Sequence, residues 1–157
     1  TIIGSLVPSY TLGITNILIY KNFTFTFFVY ALQGITRRNT LIELSPWNYR
    51  HQTLDIEFWT PENRNNSYPR NYMASTVNPY SAGFFENASF FRLKDITFSY
   101  QFPKNLLDRL NINRIECYIN AKNLGTLTKW QGLDPELNSQ AAIPLTRTFI
   151  FGIRLEL

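Results

Sequence analysis

The stretch SFFRLKDITFSYQF, residues 89–102, decides the fold. From Lys94 onward it alternates, with Ile96, Phe98, Tyr100 and Phe102 in one register and Asp95, Thr97, Ser99 and Gln101 in the other. A period of two is that of an extended strand. One register is aromatic or branched and the other wholly polar, a contrast too sharp for the two faces of a sandwich core. It predicts a strand with lipid on one side and a watery lumen on the other. At a rise of roughly 3.3 Å per residue and a tilt of about 40°, residues 94–102 advance about 20 to 25 Å along a membrane normal, close to the apolar band of about 25 Å in an outer-membrane barrel.

The composition is compatible with that reading. Of 157 residues, 45% are hydrophobic, 16% aromatic and 17% charged, as expected where ring side chains gird an interface and one strand face avoids charge. No apolar run approaches the roughly 20 residues a membrane helix needs. The net charge of +4 is spread along the chain rather than clustered with interleaved aromatics, which argues against a nucleic-acid partner. The single cysteine, Cys117, permits no internal disulfide. Thr1 is not a start residue and no export signal follows it, so the expectation is a piece of a longer protein.

The same alternation recurs along the chain. Tyr10, Leu12, Ile14, Leu18 and Tyr20 share a register; Lys21-Asn22 reads as a tight turn; Phe23, Phe25, Phe27, Val29 and Ala31 then oppose Thr24, Thr26, Tyr30 and a discordant Phe28. Residues 33–87 lose the pattern and are dense in Asn, Pro, Ser and Tyr. Pro103 closes the 89–102 strand, and residues 104–113 form a short amphipathic connection around Leu106, Leu107, Leu110 and Ile112. Residues 114–126 alternate again, with Ile115, Cys117, Ile119 and Ala121 against Glu116, Tyr118, Asn120 and Lys122. After an irregular stretch at 127–145, the strand 146–157 sets Phe149, Phe151, Ile153, Leu155 and Leu157 against Thr148, Ile150, Gly152, Arg154 and Glu156. Connections run short, long, short, long. That is the pattern of a barrel with short periplasmic turns and long extracellular loops, and five strands are too few to close one. The expected class is all-β, an antiparallel transmembrane β-barrel, with lipid against Ile96, Phe98, Tyr100, Phe102, Phe149, Phe151 and Ile153.

Five spaced segments carry a resemblance. YKNF at 20–23, WTPENRNNSYPR at 59–70, FFRLKDITFSYQFP at 90–103, AKNLGTLTKWQGLDPE at 121–136 and RTFIFGIRLEL at 147–157 together resemble the C-terminal part of SusC/RagA-type TonB-linked outer-membrane proteins of Bacteroidota. The resemblance covers nearly the whole chain in order. It implies that residues 1–157 are the C-terminal part of a barrel of about 22 strands, whose plug, TonB-contacting segment and earlier strands lie outside this sequence. It also implies a SusD-like surface lipoprotein as lid, an oligosaccharide or peptide substrate, and TonB as the source of energy.

The residues that chemistry could use are few. His51 and Cys117 do not read as a catalytic pair, because the register of Cys117 points it toward lipid. Asp134 and Glu136 suggest a carboxylate pair, but Gly-Leu-Asp-Pro reads more simply as a turn. No metal-ligand spacing, cofactor motif or catalytic residue is predicted. Trp47, Trp59, Tyr68, Tyr72 and Trp130 are loop aromatics, either stacking on substrate or packing loops and lid together. The expected role is nutrient import across the outer membrane by a protein that is not an enzyme. The alternative is a soluble β-sandwich carbohydrate-binding module, which would also alternate.

Overall fold

The computed structural model describes residues 3–39, 59–64, 84–108, 112–137 and 142–157. They fall into two compact units: a sheet unit, Tyr10–Leu32, Phe90–Thr128 and Leu145–Leu157, and a loop unit, Thr1–Ser9, Gln33–Ser89 and Lys129–Pro144.

The sheet unit is built from five long strands: β1 (Tyr10–Tyr20), β2 (Phe23–Gln33), β5 (Phe90–Gln101), β6 (Arg114–Thr128) and β7 (Thr148–Glu156). Their spatial order is β1-β2-β5-β6-β7, and the ladders β2–β5, β5–β6 and β6–β7 are antiparallel. Lys21, at φ 53°, makes the turn between β1 and β2. The Asn22 amide donates to the Gln101 carbonyl at 2.8 Å, and the Gln101 N–H returns to the Asn22 carbonyl at 2.9 Å. The turn is thereby tied to the end of β5.

Pro103 ends β5 in extended geometry and is followed by one helical turn, α1 (Lys104–Leu107), with Leu107 buried. Both short connections, and the end of β7, lie at this same end of the sheet; the long connections leave from the other. The alternation of lengths read from the sequence is therefore reproduced in space.

One departure from simple alternation matters. Phe28 pairs with Asp95 but the next residue, Val29, pairs with Leu93, so Lys94 is an extra residue in β5. On the other side Asp95 pairs with Lys122 and Leu93 with Gly125, and β6 absorbs the mismatch at Asn123, φ 54°. A bulge of this kind bends the strand and re-aims a side chain. After Lys94 the even-numbered residues of β5 share the apolar face; before it the odd-numbered ones do. Phe91 is accordingly 43% exposed while Phe90 is 1% exposed.

The loop unit has a two-stranded antiparallel sheet, β3 (Thr36–Arg38) and β4 (Phe85–Asn87), in a region whose sequence reads as irregular. Its continuation is held by backbone bonds from Asn39 N–H to Phe84 O at 2.7 Å and from Ala88 N–H to Ile35 O at 2.9 Å. Among its described residues Ile35, Phe84, Ala88 and Trp130 are the buried apolar side chains.

Candidate functional site

The ladder registers sort the long strands into two faces. Phe25, Phe98, Ile119 and Phe151 form one continuous row across β2, β5, β6 and β7, and Phe23, Tyr100, Cys117 and Ile153 form the next. Phe98 is 43% exposed and Phe151 75% exposed. A soluble sandwich would bury such a face against a second sheet. Near the turn end the aromatics cluster: the Phe23 ring lies 4.7 Å from Tyr100 and 5.6 Å from Phe98, and Phe102 meets Tyr100 edge-on at 5.1 Å. Around the half-buried Cys117 the face dips into an apolar depression of about 700 Å3, lined by Phe98, Tyr100, Ile119, Phe151 and Ile153.

The opposite face is polar and internally bonded. Asn120 donates to Asp95 Oδ1 at 2.8 Å and to Thr97 Oγ1 at 2.8 Å, and the Thr97 hydroxyl donates to Asp95 Oδ1 at 3.1 Å. Asn120 is 9% exposed, so these bonds replace water that its amide has lost. Toward the turn end, buried Glu116 accepts from Arg114 at 3.0 Å and from Arg154 at 3.4 Å. The Arg154 guanidinium lies 4.7 Å from the centre of the Tyr118 ring, and that ring occupies the space a Cβ on Gly152 would need.

Toward the loop-bearing end, Lys94 Nζ sits 4.4 Å from the Tyr30 ring centre and the Arg92 guanidinium 5.3 Å from that of Phe90. The Tyr30 and Phe90 rings are 6.0 Å apart. Phe28, discordant in the sequence, belongs to this polar face and reaches across to Gly13 of β1, where an added Cβ would lie 3.3 Å from its ring. Large rings on this face are thus seated over glycines of neighbouring strands.

The seven residues expected to face lipid behave as one set in register: Ile96, Phe98, Tyr100, Phe149, Phe151 and Ile153 share the apolar face, and Phe102, just past β5, joins their aromatic cluster. Of the loop aromatics, only Trp59 and Trp130 are among the described residues. Trp47, Tyr68 and Tyr72 lie outside the described residues, as does His51; Trp59 is half-buried. Trp130 is 6% exposed. The Asp134 carboxylate accepts the Glu136 N–H at 2.9 Å, so this pair makes a turn, and Arg37 clamps the chain beyond it through the carbonyls of Glu136 and Leu137 at 3.1 and 2.6 Å. Among the described residues no group of three or more His, Cys, Asp or Glu is placed to hold a metal ion. The polar-face aromatic and cation pairs escape a sequence reading, although the adjacent rings Phe90 and Phe91 signal that alternation fails there.

No protein-family model matches the chain. Among curated proteins, TonB-dependent receptor P3 of Formosa agariphila is 29% identical over 171 residues, covering 99% of this chain and 17% of that receptor. TonB-dependent receptor P26 of the same organism is 29% identical over 139 residues, covering 86% of this chain and 14% of that receptor. The chain therefore spans only about a sixth of the length of these relatives. Among solved structures, the RagAB peptide importer in its open-open state matches with a TM-score of 0.74 and 24% identity over 98% of this chain and 18% of that one. Its closed-closed state gives a TM-score of 0.75 at the same identity and coverage. At that identity the likeness speaks for the fold, and for the fold it is close. Over nearly its whole length the chain is similar in sequence to TonB-dependent receptors, which are outer-membrane proteins, and its all-β structure is folded like the matching section of the RagAB importer.

Proposed function

We propose that this chain is part of the barrel wall of an outer-membrane, TonB-dependent importer of oligomeric nutrients, oligosaccharides or peptides, that works with a SusD-like lipoprotein lid. The observation that carries the reading is the two-faced sheet: one ladder register puts aromatic and branched side chains on one side and a hydrogen-bonded polar layer on the other. In this reading the apolar side meets lipid and the polar side lines the lumen of a closed barrel of about 22 strands. The two short connections are periplasmic and residues 33–87 and 127–145 are extracellular, forming part of the rim over which the lid closes. The chain performs no catalysis. Its homology to TonB-dependent receptors and its structural likeness to a peptide importer that carries a second component support the reading.

The test is made in the full-length receptor. Removing the tip of the 33–87 loop should leave the receptor assembled in the outer membrane while capture and import of its oligomer fall. Protease added to intact cells should cut in the 33–87 and 127–145 loops and spare residues 104–113. Cleavage at 104–113 from outside, with the loops protected, would invert the topology and exclude this function.

A further inference from the structure

The depression on the apolar face takes its shape from the side chains of two ladder rows. In the row Tyr100-Cys117-Ile153 the middle side chain is the smallest, so β6 is indented between a ring on β5 and a branched chain on β7. In the next row toward the loop-bearing end, Phe98, Ile119 and Phe151 all stand exposed. Tyr118 and Gly152 also line the depression, although their register assigns them to the opposite face, so its floor is the backbone of β6 and β7. The result is a walled hollow rather than an even surface. Its place along the strands is off-centre. Cys117 is three residues from the start of β6 at Arg114 and eleven from its other end at Thr128, on the side of the short connections, and the ring cluster of Phe23, Tyr100 and Phe102 forms the turn-ward margin.

A hollow with apolar walls holds no water, because the walls cannot replace the hydrogen bonds a water gives up. Left empty, it forfeits the dispersion contacts of its lining. In a bilayer, apolar protein surface gains nothing merely by leaving lipid, and proteins associate there through close packing at small residues or through polar side chains. Here rings and branched chains rim the hollow and hold a second backbone away, whereas a flexible hydrocarbon chain passes between them. We infer that the hollow seats one acyl chain of a phospholipid, and that this phospholipid belongs to the periplasmic leaflet. The inference rests on the reading above that the apolar face meets lipid and that the short connections are periplasmic, and adds to it one resident lipid at a fixed place on β5, β6 and β7. The aromatic margin at Tyr100 suits the head-group end of such a lipid, since amphipathic rings concentrate where hydrocarbon gives way to head groups. Lipopolysaccharide, confined to the outer leaflet, does not match the position.

The test uses the full-length receptor extracted from outer membranes in mild detergent, with its retained lipids counted and identified by native mass spectrometry. The native receptor should carry one phospholipid more than Cys117→Phe, whose ring fills the hollow from the lipid side. Cys117→Ala, which keeps the hollow open, should retain that phospholipid. So should Leu155→Phe, which adds the same ring to the apolar face outside the hollow. Equal retention by the native receptor and Cys117→Phe, or loss in either control as well, overturns the seat. A difference carried by lipopolysaccharide, or a pair of receptors that Cys117→Phe separates, overturns the occupant. The lipid-face reading is checked separately by a nitroxide on Phe149→Cys, on the apolar face but outside the hollow, in a receptor otherwise free of cysteine and returned to phospholipid vesicles. Relaxation faster with dissolved oxygen than with a water-soluble nickel chelate upholds that face, and a failed retention experiment then counts against the seat alone. The reverse order removes the lipid-face reading, and this inference with it.

Discussion

The ring of Tyr118 lies over Gly152, its direct partner across the β6–β7 ladder, in the space that any larger residue would need for its Cβ. Arg154 covers the ring and is itself bonded to Glu116. Gly152→Ala must therefore push the ring off its seat, at a cost of about 1 to 3 kcal/mol. The same substitution in a Tyr118→Ala background should cost much less. Urea unfolding of the refolded receptor in lipid vesicles measures both, and strictly additive losses would show that the ring and the glycine are not energetically coupled.

The two faces of β5 make a second prediction. Phe98→Arg places a charge on the apolar row Phe25-Phe98-Ile119-Phe151 and should destabilise the refolded barrel by about 2 to 4 kcal/mol. Thr97→Arg, one residue away on the polar face, should have a much smaller effect. Equal losses on refolding into lipid would reject the assignment of faces.

Asn120 bridges Asp95, Thr97 and the Ile96 carbonyl, the last at 3.2 Å. Asn120→Ala strips donors from a part-buried carboxylate, and a loss of about 1 to 3 kcal/mol is expected. In a background carrying Asp95→Ala the loss should shrink, because the acceptor most in need of the amide is gone. Thermal melts of the four receptors in detergent decide this; an undiminished loss would mean that Asn120 acts through packing.

Glu86 gives the loop unit a pH dependence. Burial raises its carboxyl above the usual carboxylate range, opposed by hydrogen bonds from the Gln131 N–H and the Asn39 amide. The folded unit thus holds this proton more tightly than the unfolded chain does. The sign follows: the contribution to stability is complete below the ordinary carboxylate pKa and declines as pH rises through the raised folded value. Protease clipping of the loops on intact cells should therefore increase more between about pH 5 and about pH 8 for the native receptor than for Glu86→Gln. An identical ratio in the two receptors would contradict it.

The long strands were legible because each face meets a single environment along most of its length, so residues 96–102, 115–121 and 149–157 alternate without exception on the apolar side. The discordant Phe28 was legible only as an exception; its reason lies on another strand, at Gly13, and a one-dimensional pattern does not show which glycine a ring will find. The pairing of β3 with β4 joins residues nearly fifty positions apart over three residues each, too short a run to show a period. Trp130 read equally as a substrate-stacking or a packing aromatic, since burial in an irregular unit depends on tertiary contacts rather than local spacing. The polar face was predicted as polar, but its bonding depends on register between strands, which sequence leaves open.

The extra residue at Lys94 bears on how relatives of this chain should be compared. Because the residues of β5 that share a face change parity at that point, an ungapped alignment is faithful only among sequences that carry the same bulge. A relative lacking it, aligned by its strong 95–102 pattern, would have every position on the loop-bearing side assigned to the wrong surface, with the counterpart of exposed Phe91 equated to that of buried Phe90. Substitution patterns tallied across such an alignment would mix the two faces in one column. A single-position gap at 94 restores the correspondence, and its presence or absence sorts the relatives before any residue is compared.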